Sequence, residues 1–367
     1  MLFVCDENFN RLGMVGSFSY LLWRKKYGPC GEAELHVDVT VKNIELLKKG
    51  NILFRQDDNE AMYIYYRGFS DDNGIDQLVV KCFSLLKWTD RRILWGIYNF
   101  SETVESAIRR MITENLINPS LAARRIPQVQ LTGMKNITGP ITKQISYDEV
   151  YSSIDDLCNT YDLGIRCMFD GRTLKYDLYQ GADRTINQME NPRIILSKSR
   201  ANLLKRTYED ADNDLKNTAL IAGAGEGTER KMATIESGTG LARRELFVDA
   251  RELSDTADNQ DGEGEPIKIP DAQYKQLLIA KGTEKLAEYD EFISFDCELD
   301  VTKENTKYNE DFFLGDLVTI KDEQLDILMN SRVLEADEVF QKDGKSIFVK
   351  VGKSVPTLPQ ALKRMVK

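Results

Sequence analysis

A glycine-rich segment follows an apolar run in the second half of the chain, and such segments can bind phosphate. It reads ALIAGAGEGTERKMATIESGTG from 219 to 240, with Gly223, Gly225 and Gly227 at its centre. A dinucleotide-binding loop needs G-x-G-x-x-G before a helix, and a Walker loop needs G-x-x-x-x-G-K-[ST]. The spacing here is G-x-G-x-G, and the residues that follow alternate like a short strand. The segment therefore predicts the tip of a β-hairpin, and no nucleotide cofactor.

The chain has one histidine, His36, and this count excludes multi-histidine zinc sites and most catalytic triads. Asp38 shares its side of an alternating strand, but no third partner is indicated, so a solvated strand face is expected. Six cysteines are scattered along the chain and none forms C-x-x-C. This usage predicts buried free thiols in a protein assembled in a reducing, intracellular environment.

A row of carboxylates lies on the most regular strand of the sequence, FISFDCELDV, as Asp296, Glu298 and Asp300. The row has two interpretations, a cation site or a solvent-facing strand face. Calcium loops curl their oxygens around the ion, which a straight strand does not do, so no metal is predicted. Paired Asp and Glu residues elsewhere are too numerous to single out a glycosidase dyad.

Three arginines are close together in ARRELFVDAREL, at Arg243, Arg244 and Arg251. They are either part of a surface strand and turn or part of a subunit interface, because guanidinium groups suit charged contacts between subunits. No catalytic residue is predicted, since no nucleophile is paired with a base in the sequence.

The composition fits a soluble globular protein of two or more domains, with 367 residues, 42% hydrophobic and 29% charged. The net charge of −10 and the lack of a basic block argue against a generic nucleic-acid binder. No apolar stretch reaches membrane-spanning length, and the acidic N-terminus is not expected to be a signal peptide.

The periodicity predicts a mainly β chain with an α+β insert. Alternating strands fill the first hundred residues, two helices follow, one capped by Ser101 and one starting at Ser146, and strands return from about 194. The glycine at 282 is a weak point in a third helix from 271 to 289. The predicted domains are a first β-barrel at 1–95, an α/β domain at 96–193, a second barrel from 194–253 and 290–352, an acidic loop and helix at 254–289, and a tail at 353–367.

Several stretches together resemble the tail-hub, or tail-associated, proteins of phages of Gram-positive bacteria. No single piece is a mechanistic motif, so the resemblance depends on the set and its order across nearly the whole chain. The stretches are SFSYLLWRKKYGPCGEAELHV, FDGRTLKYDLYQGADRTINQMENPRIILSKSRANL, KNTALIAGAGEGTERKM, GLARRELFVDARELSD, FFLGDLVTI and SRVLEADE.

The resemblance implies a structural virion protein with two small antiparallel β-barrels, as in tail tubes, and a peripheral α/β domain. Three chains would close a hub at the tail tip or baseplate, with a channel for the tape-measure protein and DNA. Implied partners are the same chain as a homotrimer, a distal tail or tail tube protein, the tape-measure protein, and spike, fibre or other baseplate proteins. DNA would pass without specific binding. Assembly is expected in the host cytoplasm.

In such a ring, Asp296, Glu298 and Asp300 are the candidate lumen-facing residues, because a conduit for DNA should not bind phosphate strongly. The three arginines remain the candidate subunit interface. Relatives with C-terminal fibre, peptidase or glycan-cleaving domains are longer, so those activities are not expected here. The alternatives are a tail-tip hydrolase acting on peptidoglycan or peptides, and a host-surface binding module.

Overall fold

The computed structural model describes residues 1–70, 77–257, 267–299 and 306–352. The chain is mainly β, as predicted. The first part contains strands and one short helix: β1 (Leu2–Cys5), β2 (Arg11–Val15), β3 (Tyr20–Lys26), β4 (Glu32–Asp38), α1 (Val41–Leu46), β5 (Ile52–Arg55), β6 (Ala61–Ser70) and β7 (Gln77–Ser84).

The middle part mixes helices and strands: β8 (Ile97–Thr103), α2 (Val104–Ile112), β9 (Val129–Leu131), β10 (Pro140–Ser146), α3 (Val150–Tyr161), β11 (Gly164–Phe169) and β12 (Leu174–Tyr179). The last part is again mostly strands: β13 (Ile195–Ser197), β14 (Leu203–Ala211), β15 (Thr218–Ala222), β16 (Met232–Ile235), β17 (Glu245–Asp249), β18 (Thr256–Ala257), β19 (Ile267–Lys268), α4 (Asp271–Ala287), β20 (Phe292–Leu299), β21 (Leu317–Asp322), β22 (Ile327–Gln341) and β23 (Gly344–Gly352).

One large sheet joins the first and last parts of the chain. Its strand order is β14-β20-β23-β22-β3-β4-β7-β6-β5-β1-β2, and β21 and β13 branch from β22. The long strand β22 makes the junction, since it pairs with β3 from Glu335↔Lys26 to Gln341↔Tyr20. Two separate barrels were predicted, but within the described residues the sheet is continuous and does not close into a barrel. Each half has its own hydrophobic core.

A second correction concerns the region from 218 to 249, which was predicted to belong to the second barrel. Strands β16, β15 and β17 form their own three-stranded sheet, with β15 and β17 parallel. The helix α4 covers this sheet through Tyr274, Leu277 and Leu278. Gly282 is not a weak point in the helix, because a Cβ there would lie 2.6 Å from Cγ1 of Ile221. The glycine lets the helix and the sheet approach each other closely.

The helix starts also differ from the prediction. Ser101 lies in β8, and Thr103 is the N-cap of α2, where its side chain accepts a hydrogen bond from the Ser106 amide. Ser146 ends β10, which pairs with β8 as far as Ser146↔Ile97, so α3 begins only at Val150. In both cases strand pairing takes residues that the local capping pattern assigns to a helix.

The hairpin predicted around the three glycines is confirmed, because β15 and β16 pair antiparallel from Ala219↔Ile235 to Ala222↔Met232. Gly223 is buried against α4, where a Cβ would lie 2.5 Å from the Tyr274 hydroxyl oxygen, and Gly225 has a φ of 99°. These glycines therefore serve close packing and a turn. Residues 258–266 of the predicted acidic loop and the predicted tail at 353–367 lie outside the described residues.

Candidate functional site: the charged face of the central sheet

The central sheet has two unlike faces. Eight of its strands, β14, β20, β23, β22, β3, β4, β7 and β6, follow one another in antiparallel pairs. Along β20, Phe295 and Cys297 are buried in one core, whereas Asp296 and Glu298 face the other way and are half-buried. The same alternation on β3 buries Trp23 in the second core. Both cores therefore lie on one side, and the opposite side is here called the charged face.

At one end of the charged face, lysines on neighbouring strands pair with the carboxylates of β20. The Lys205 ammonium on β14 lies 2.8 Å from a Glu298 carboxylate oxygen. The Lys350 ammonium on β23 lies 3.4 Å from an Asp296 oxygen. Register explains both contacts, since Lys205 is directly opposite Glu298 and Lys350 is directly opposite Asp296. Opposite residues on one face of an antiparallel pair have their Cβ atoms about 5 Å apart.

At the centre, a bidentate ion pair crosses the junction between the two halves of the sheet. Arg24 on β3 donates from Nε and Nη2 to the two Asp337 oxygens on β22, at 2.7 and 2.6 Å. Its Nε also lies 3.4 Å from Glu335. The hydrogen bond with Asp337 raises the pKa of Arg24, while burial raises the pKa of Glu335 despite the nearby guanidinium. Two parallel N–H···O bonds fix the relative orientation of these two side chains as well as their distance.

The ladder of ion pairs continues onto β4 and β7. The Lys26 ammonium lies 2.5 Å from Glu32, and the Lys81 ammonium lies 3.5 Å from Glu34. His36 Nε2 is 2.7 Å from the other Glu34 oxygen. Burial opposes ionisation of Glu34, but the hydrogen bond with His36 and the charge of Lys81 hold its pKa below the usual value. His36 thus has a carboxylate neighbour on its own strand, on the half-exposed face that the sequence predicted.

The charges of this ladder nearly cancel. Six carboxylates face five cations, which leaves a net charge of −1 per chain: Asp296, Glu298, Glu335, Asp337, Glu32 and Glu34 against Lys205, Lys350, Arg24, Lys26 and Lys81. Each cation already has a carboxylate partner within the chain. A surface of this kind offers no continuous basic track to the phosphates of a nucleic acid.

The structure therefore places Asp296 and Glu298 side by side on one face, as the alternation predicted. It adds that each has a lysine partner, which the sequence could not indicate because the lysines come from distant strands. Asp300 lies outside the described residues. Among the described residues, no three His, Cys, Asp or Glu side chains are grouped so that they could hold a metal ion.

The three arginines of the candidate interface lie elsewhere, around the three-stranded sheet. Each pairs with carboxylates of its own chain: Arg243 with Glu236 and Glu245, Arg244 with Asp212, and Arg251 with Asp249. The side chain of Arg251 is 69% exposed, so it remains accessible to a partner. Their role as a subunit interface stays a prediction.

A buried ion pair on the core side of the sheet, which sequence reasoning did not single out, joins the two halves. Arg55 on β5 pairs with Glu338 on β22, and both side chains are only 5% exposed. Glu338 also accepts a hydrogen bond from the Lys345 ammonium at 2.7 Å. The Arg55 guanidinium lies over the Trp23 ring and pairs with Asp57 at 2.5 Å. A buried pair of this kind contributes to the relative placement of the elements that hold its two partners.

All six cysteines are buried and free, as predicted. Burial raises the pKa of Cys30 to about 11 and that of Cys5 to about 12. Thiols with raised pKa values are poor nucleophiles at neutral pH. In the described part of the chain, no helix is long and apolar enough to cross a membrane.

Comparison with known proteins gives one family and several similar folds. The family model described as Siphovirus ReqiPepy6 Gp37-like protein matches residues 1–353. The tail protein from Neisseria meningitidis MC58 is similar in fold, with a TM-score of 0.57, 12% identity, and 95% of this chain and 95% of that chain covered. No curated protein matches the sequence.

Two further solved structures are similar over nearly their full lengths. The 43 kDa tail protein of prophage MuSo2 from Shewanella oneidensis has a TM-score of 0.57 and 11% identity, with 96% of this chain and 98% of that chain covered. The prophage tail protein gp18 from Listeria monocytogenes EGD-e has a TM-score of 0.55 and 12% identity, with 100% and 99% covered. At such identities the likeness shows a shared fold.

Proposed function

Because this chain belongs to the Siphovirus ReqiPepy6 Gp37-like family of phage tail structural proteins, we propose that it is the trimeric hub that closes the tail tube. In this proposal three chains form a ring at the tail tip or baseplate. The charged face lines the channel, through which the tape-measure protein and then the DNA leave the particle.

The observation that carries the proposal is the continuous sheet with both cores on one side and a charge-balanced face on the other. The two halves each supply four antiparallel strands to the eight-stranded path, and they are joined by backbone pairing between β22 and β3. A ring of three such chains would present six similar four-stranded sheets to its centre. This number suits a protein that continues a six-fold tube.

The electrostatics of the face suit a conduit. A protein that neutralises phosphates releases counterions and binds tightly at low salt, so each free cation in a channel would slow the passage of DNA. On the charged face Lys205, Lys350 and Arg24 are each paired with a carboxylate of the same chain. We infer that the polymer slides past a nearly neutral lining and makes no specific contact with it.

The proposal assigns the protein a structural role without catalysis. Its partners would be a distal tail or tail tube protein above, the tape-measure protein inside, and spike, fibre or other baseplate proteins below. As a member of a phage tail family it is a virion component, and we propose that it assembles in the host cytoplasm before the tail is completed.

The hydrolase and host-surface alternatives find less support among the described residues. The six thiols are buried, and the ring of His36 is engaged by the neighbouring Glu34. A host-surface module would most readily use the outer face of the three-stranded sheet, where Leu220 and Phe247 lie opposite each other and are 44% and 58% exposed.

The test has two parts. Light scattering after size exclusion should give a mass of three times 41.9 kDa, or about 126 kDa, for the purified full-length chain. Cryo-electron microscopy of virions, with an antibody fragment against this chain, should place the label at the distal end of the tube with three-fold symmetry. Absence of the chain from purified virions, or a label along the tube or on the capsid, would overturn the proposal.

A further inference from the structure

A short extended segment leads into β8, and its side chains alternate between buried and exposed. Leu94 is fully buried, whereas Ile93 and Trp95 on either side of it are 42% and 52% exposed. The segment is fixed to the residues before α3, because the Leu94 amide donates a hydrogen bond to the Asp148 carbonyl at 2.9 Å. Two large apolar side chains are therefore displayed at the surface on a backbone that is held in place.

An arginine packs against this segment without a counter-ion among the described residues. Arg124 is only 9% exposed, and its Cζ atom lies 4.3 Å from the centre of the Trp95 ring. Its Nη2 donates hydrogen bonds to the Ile93 carbonyl at 2.6 Å and to the Asn115 side-chain oxygen at 3.1 Å, and both acceptors are neutral. Burial and repulsion by Arg92 lower the pKa of Arg124. A buried charge costs free energy unless a group of opposite charge neutralises it.

A second arginine adds to the positive charge. The Arg92 guanidinium donates from Nε to the Arg124 carbonyl at 3.0 Å and from Nη1 to the Arg91 carbonyl at 2.9 Å, so its acceptors are again neutral. The carboxylates closest to it in sequence or across the backbone bridge between Ile93 and Glu149 have other partners: Asp90 with Lys87, Asp148 with Ser153, and Glu149 with Ser152. The two guanidinium groups therefore lack an anionic partner in the part of the chain that the structure describes.

The two arginines and the apolar residues around them form one surface. Leu121 belongs to it, since it is 47% exposed and its carbonyl accepts a hydrogen bond from the Arg124 amide at 2.9 Å. We call this surface the Arg–Trp patch, and its members are Arg92, Ile93, Trp95, Leu121 and Arg124. The arginines of the charged face and of the three-stranded sheet differ, because each is paired with carboxylates of its own chain: Arg24, Arg243, Arg244 and Arg251. The patch thus combines cations that are not neutralised with exposed apolar area.

We propose that the Arg–Trp patch binds an acidic segment of a neighbouring tail protein, with a carboxylate of that segment paired to the two arginines and its apolar side chains packed on Trp95. This inference rests on the proposed function for the partner being a virion protein, and it identifies the surface at which that partner attaches. Tryptophan and arginine are enriched among the few residues that dominate the energy of protein interfaces. A guanidinium group can donate two parallel hydrogen bonds to one carboxylate, which adds geometric specificity to the contact.

The composition of the patch favours a protein segment over a nucleic acid or an anionic polysaccharide. Phosphate polymers are bound by several exposed cations that follow their backbone, and by aromatic platforms that repeat along it. The patch has one aromatic ring and two arginines, of which Arg124 is buried, and its other exposed side chains are the apolar Ile93 and Leu121. Those two side chains gain from contact with apolar groups, which a phosphate backbone lacks. A segment with both carboxylates and apolar side chains complements the whole patch.

Photo-crosslinking in assembled particles tests the inference. Leu121 is replaced by the photoreactive p-benzoylphenylalanine, particles carrying the full-length variant are irradiated, and the crosslinked peptides are mapped by mass spectrometry. This position lies in the patch and is exposed, and its replacement leaves both arginines and Trp95 intact. We expect a crosslink to a segment of another virion protein that contains both acidic and apolar residues. The control carries the same group at Met134, which is 54% exposed in the same part of the chain, and should not label that segment.

Charge reversal decides whether the arginines bind the mapped segment. Arg92→Glu in the Leu121 variant should lower the yield of the crosslink roughly tenfold or more, because a carboxylate would face the acidic segment. Replacement of the acidic residues of the mapped segment by lysine should restore the crosslink to the Arg92→Glu variant. The matched control is Arg172→Glu, which reverses an exposed arginine at the tip of the β11–β12 hairpin and should leave the yield unchanged. If Arg92→Glu alters the circular dichroism of the chain, Trp95→Ser takes its place and should give the same loss.

The outcomes separate this inference from the proposed function. A chain that is present in particles but gives no crosslink from position 121, or a crosslink that Arg92→Glu leaves unchanged, would overturn the attachment site and leave the hub intact. A crosslink only to DNA, to a polysaccharide, to another copy of this chain or to residues 255–266 of the same chain would identify a different occupant and equally overturn the inference. Absence of the chain from purified virions would overturn the hub and the attachment site together.

Discussion

The charge balance of the proposed channel can be changed at two adjacent positions. Asp296→Lys together with Glu298→Lys replaces the two carboxylates of β20 and also leaves Lys205 and Lys350 without their partners. We expect this double variant to bind DNA more tightly than the native chain does.

The size of the change follows from the count of the ladder. Six carboxylates and five cations become four and seven, so the net charge per chain changes from −1 to +3, and that of a trimer from −3 to +9. We consider the case in which the four lysines at 205, 296, 298 and 350 of one chain contact phosphates. A plot of the logarithm of the DNA-binding constant against the logarithm of the salt concentration then has a slope of about −3.6. A fourfold rise in salt then weakens binding roughly 10²-fold.

The fold should survive the double substitution. The ion pair of Glu298 with Lys205 involves a lysine that is 78% exposed, and pairs of this kind contribute about 0–1 kcal/mol. Like charges directly opposite on a sheet cost a similar amount. The variant should therefore remain a folded trimer.

Fluorescence anisotropy with a labelled DNA duplex across a salt series measures the binding, and infectivity of particles carrying the variant measures delivery. The matched control is Glu226→Lys with Glu229→Lys, which changes the net charge equally at the exposed tip of the hairpin after β15. The control should bind DNA less tightly and leave infectivity unchanged. Equal DNA binding by both variants, or normal infectivity of the β20 variant, would refute the assignment of this face to the channel.

Three further predictions concern stability and follow from buried groups. Glu338→Ala removes one of the two carboxylate partners of the Arg55 guanidinium, which is only 5% exposed, and leaves Asp57 as the other. It should lower the free energy of unfolding by about 1–3 kcal/mol in a urea titration, while Arg55→Met with Glu338→Leu should recover most of that loss. Burial raises the pKa of Asp155 to about 7, so its contribution to the free energy of unfolding is complete below about pH 4 and is lost as the pH rises through 7. Asp155→Asn should flatten this loss of stability in unfolding curves measured from pH 5 to 8. An unchanged dependence of stability on pH would contradict the assignment. Gly282→Ala should cost about 1–3 kcal/mol by thermal unfolding because its Cβ would lie 2.6 Å from Ile221, whereas helix propensity alone predicts a gain of about 1 kcal/mol.

Local sequence patterns predicted the parts of the fold that local physics controls. Alternation along β4 and β20 identified the buried and half-exposed faces of both strands, and the glycine spacing identified the β15–β16 hairpin. The helix starts were wrong by a few residues. At 103 and at 146 the backbone is already committed to β8 and β10, and strand pairing with a distant partner outweighs a nearby cap.

The junction between the two halves of the sheet could not be predicted in the same way. Arg24 and Asp337 are 313 residues apart in sequence, yet their ion pair lies at the centre of the charged face. Period-2 alternation determines which side of a strand is buried, but it does not determine which strand lies beside it. For the same reason two barrels and one continuous sheet have nearly identical sequence patterns, and only the pairing of β22 with β3 distinguishes them.

The net charge of the whole chain does not indicate the net charge of the face that is proposed to line the channel. The net charge is −10 over 367 residues, but the ladder of the charged face accounts for only −1 of it. The ladder is therefore much closer to neutral than the chain as a whole. The ladder is instead neutralised locally, since Asp296 and Glu298 of β20 each have a lysine partner within the same chain. Because five cations of a single copy offset five of its six carboxylates, the proposed lining would need little charge from a neighbouring copy to become neutral.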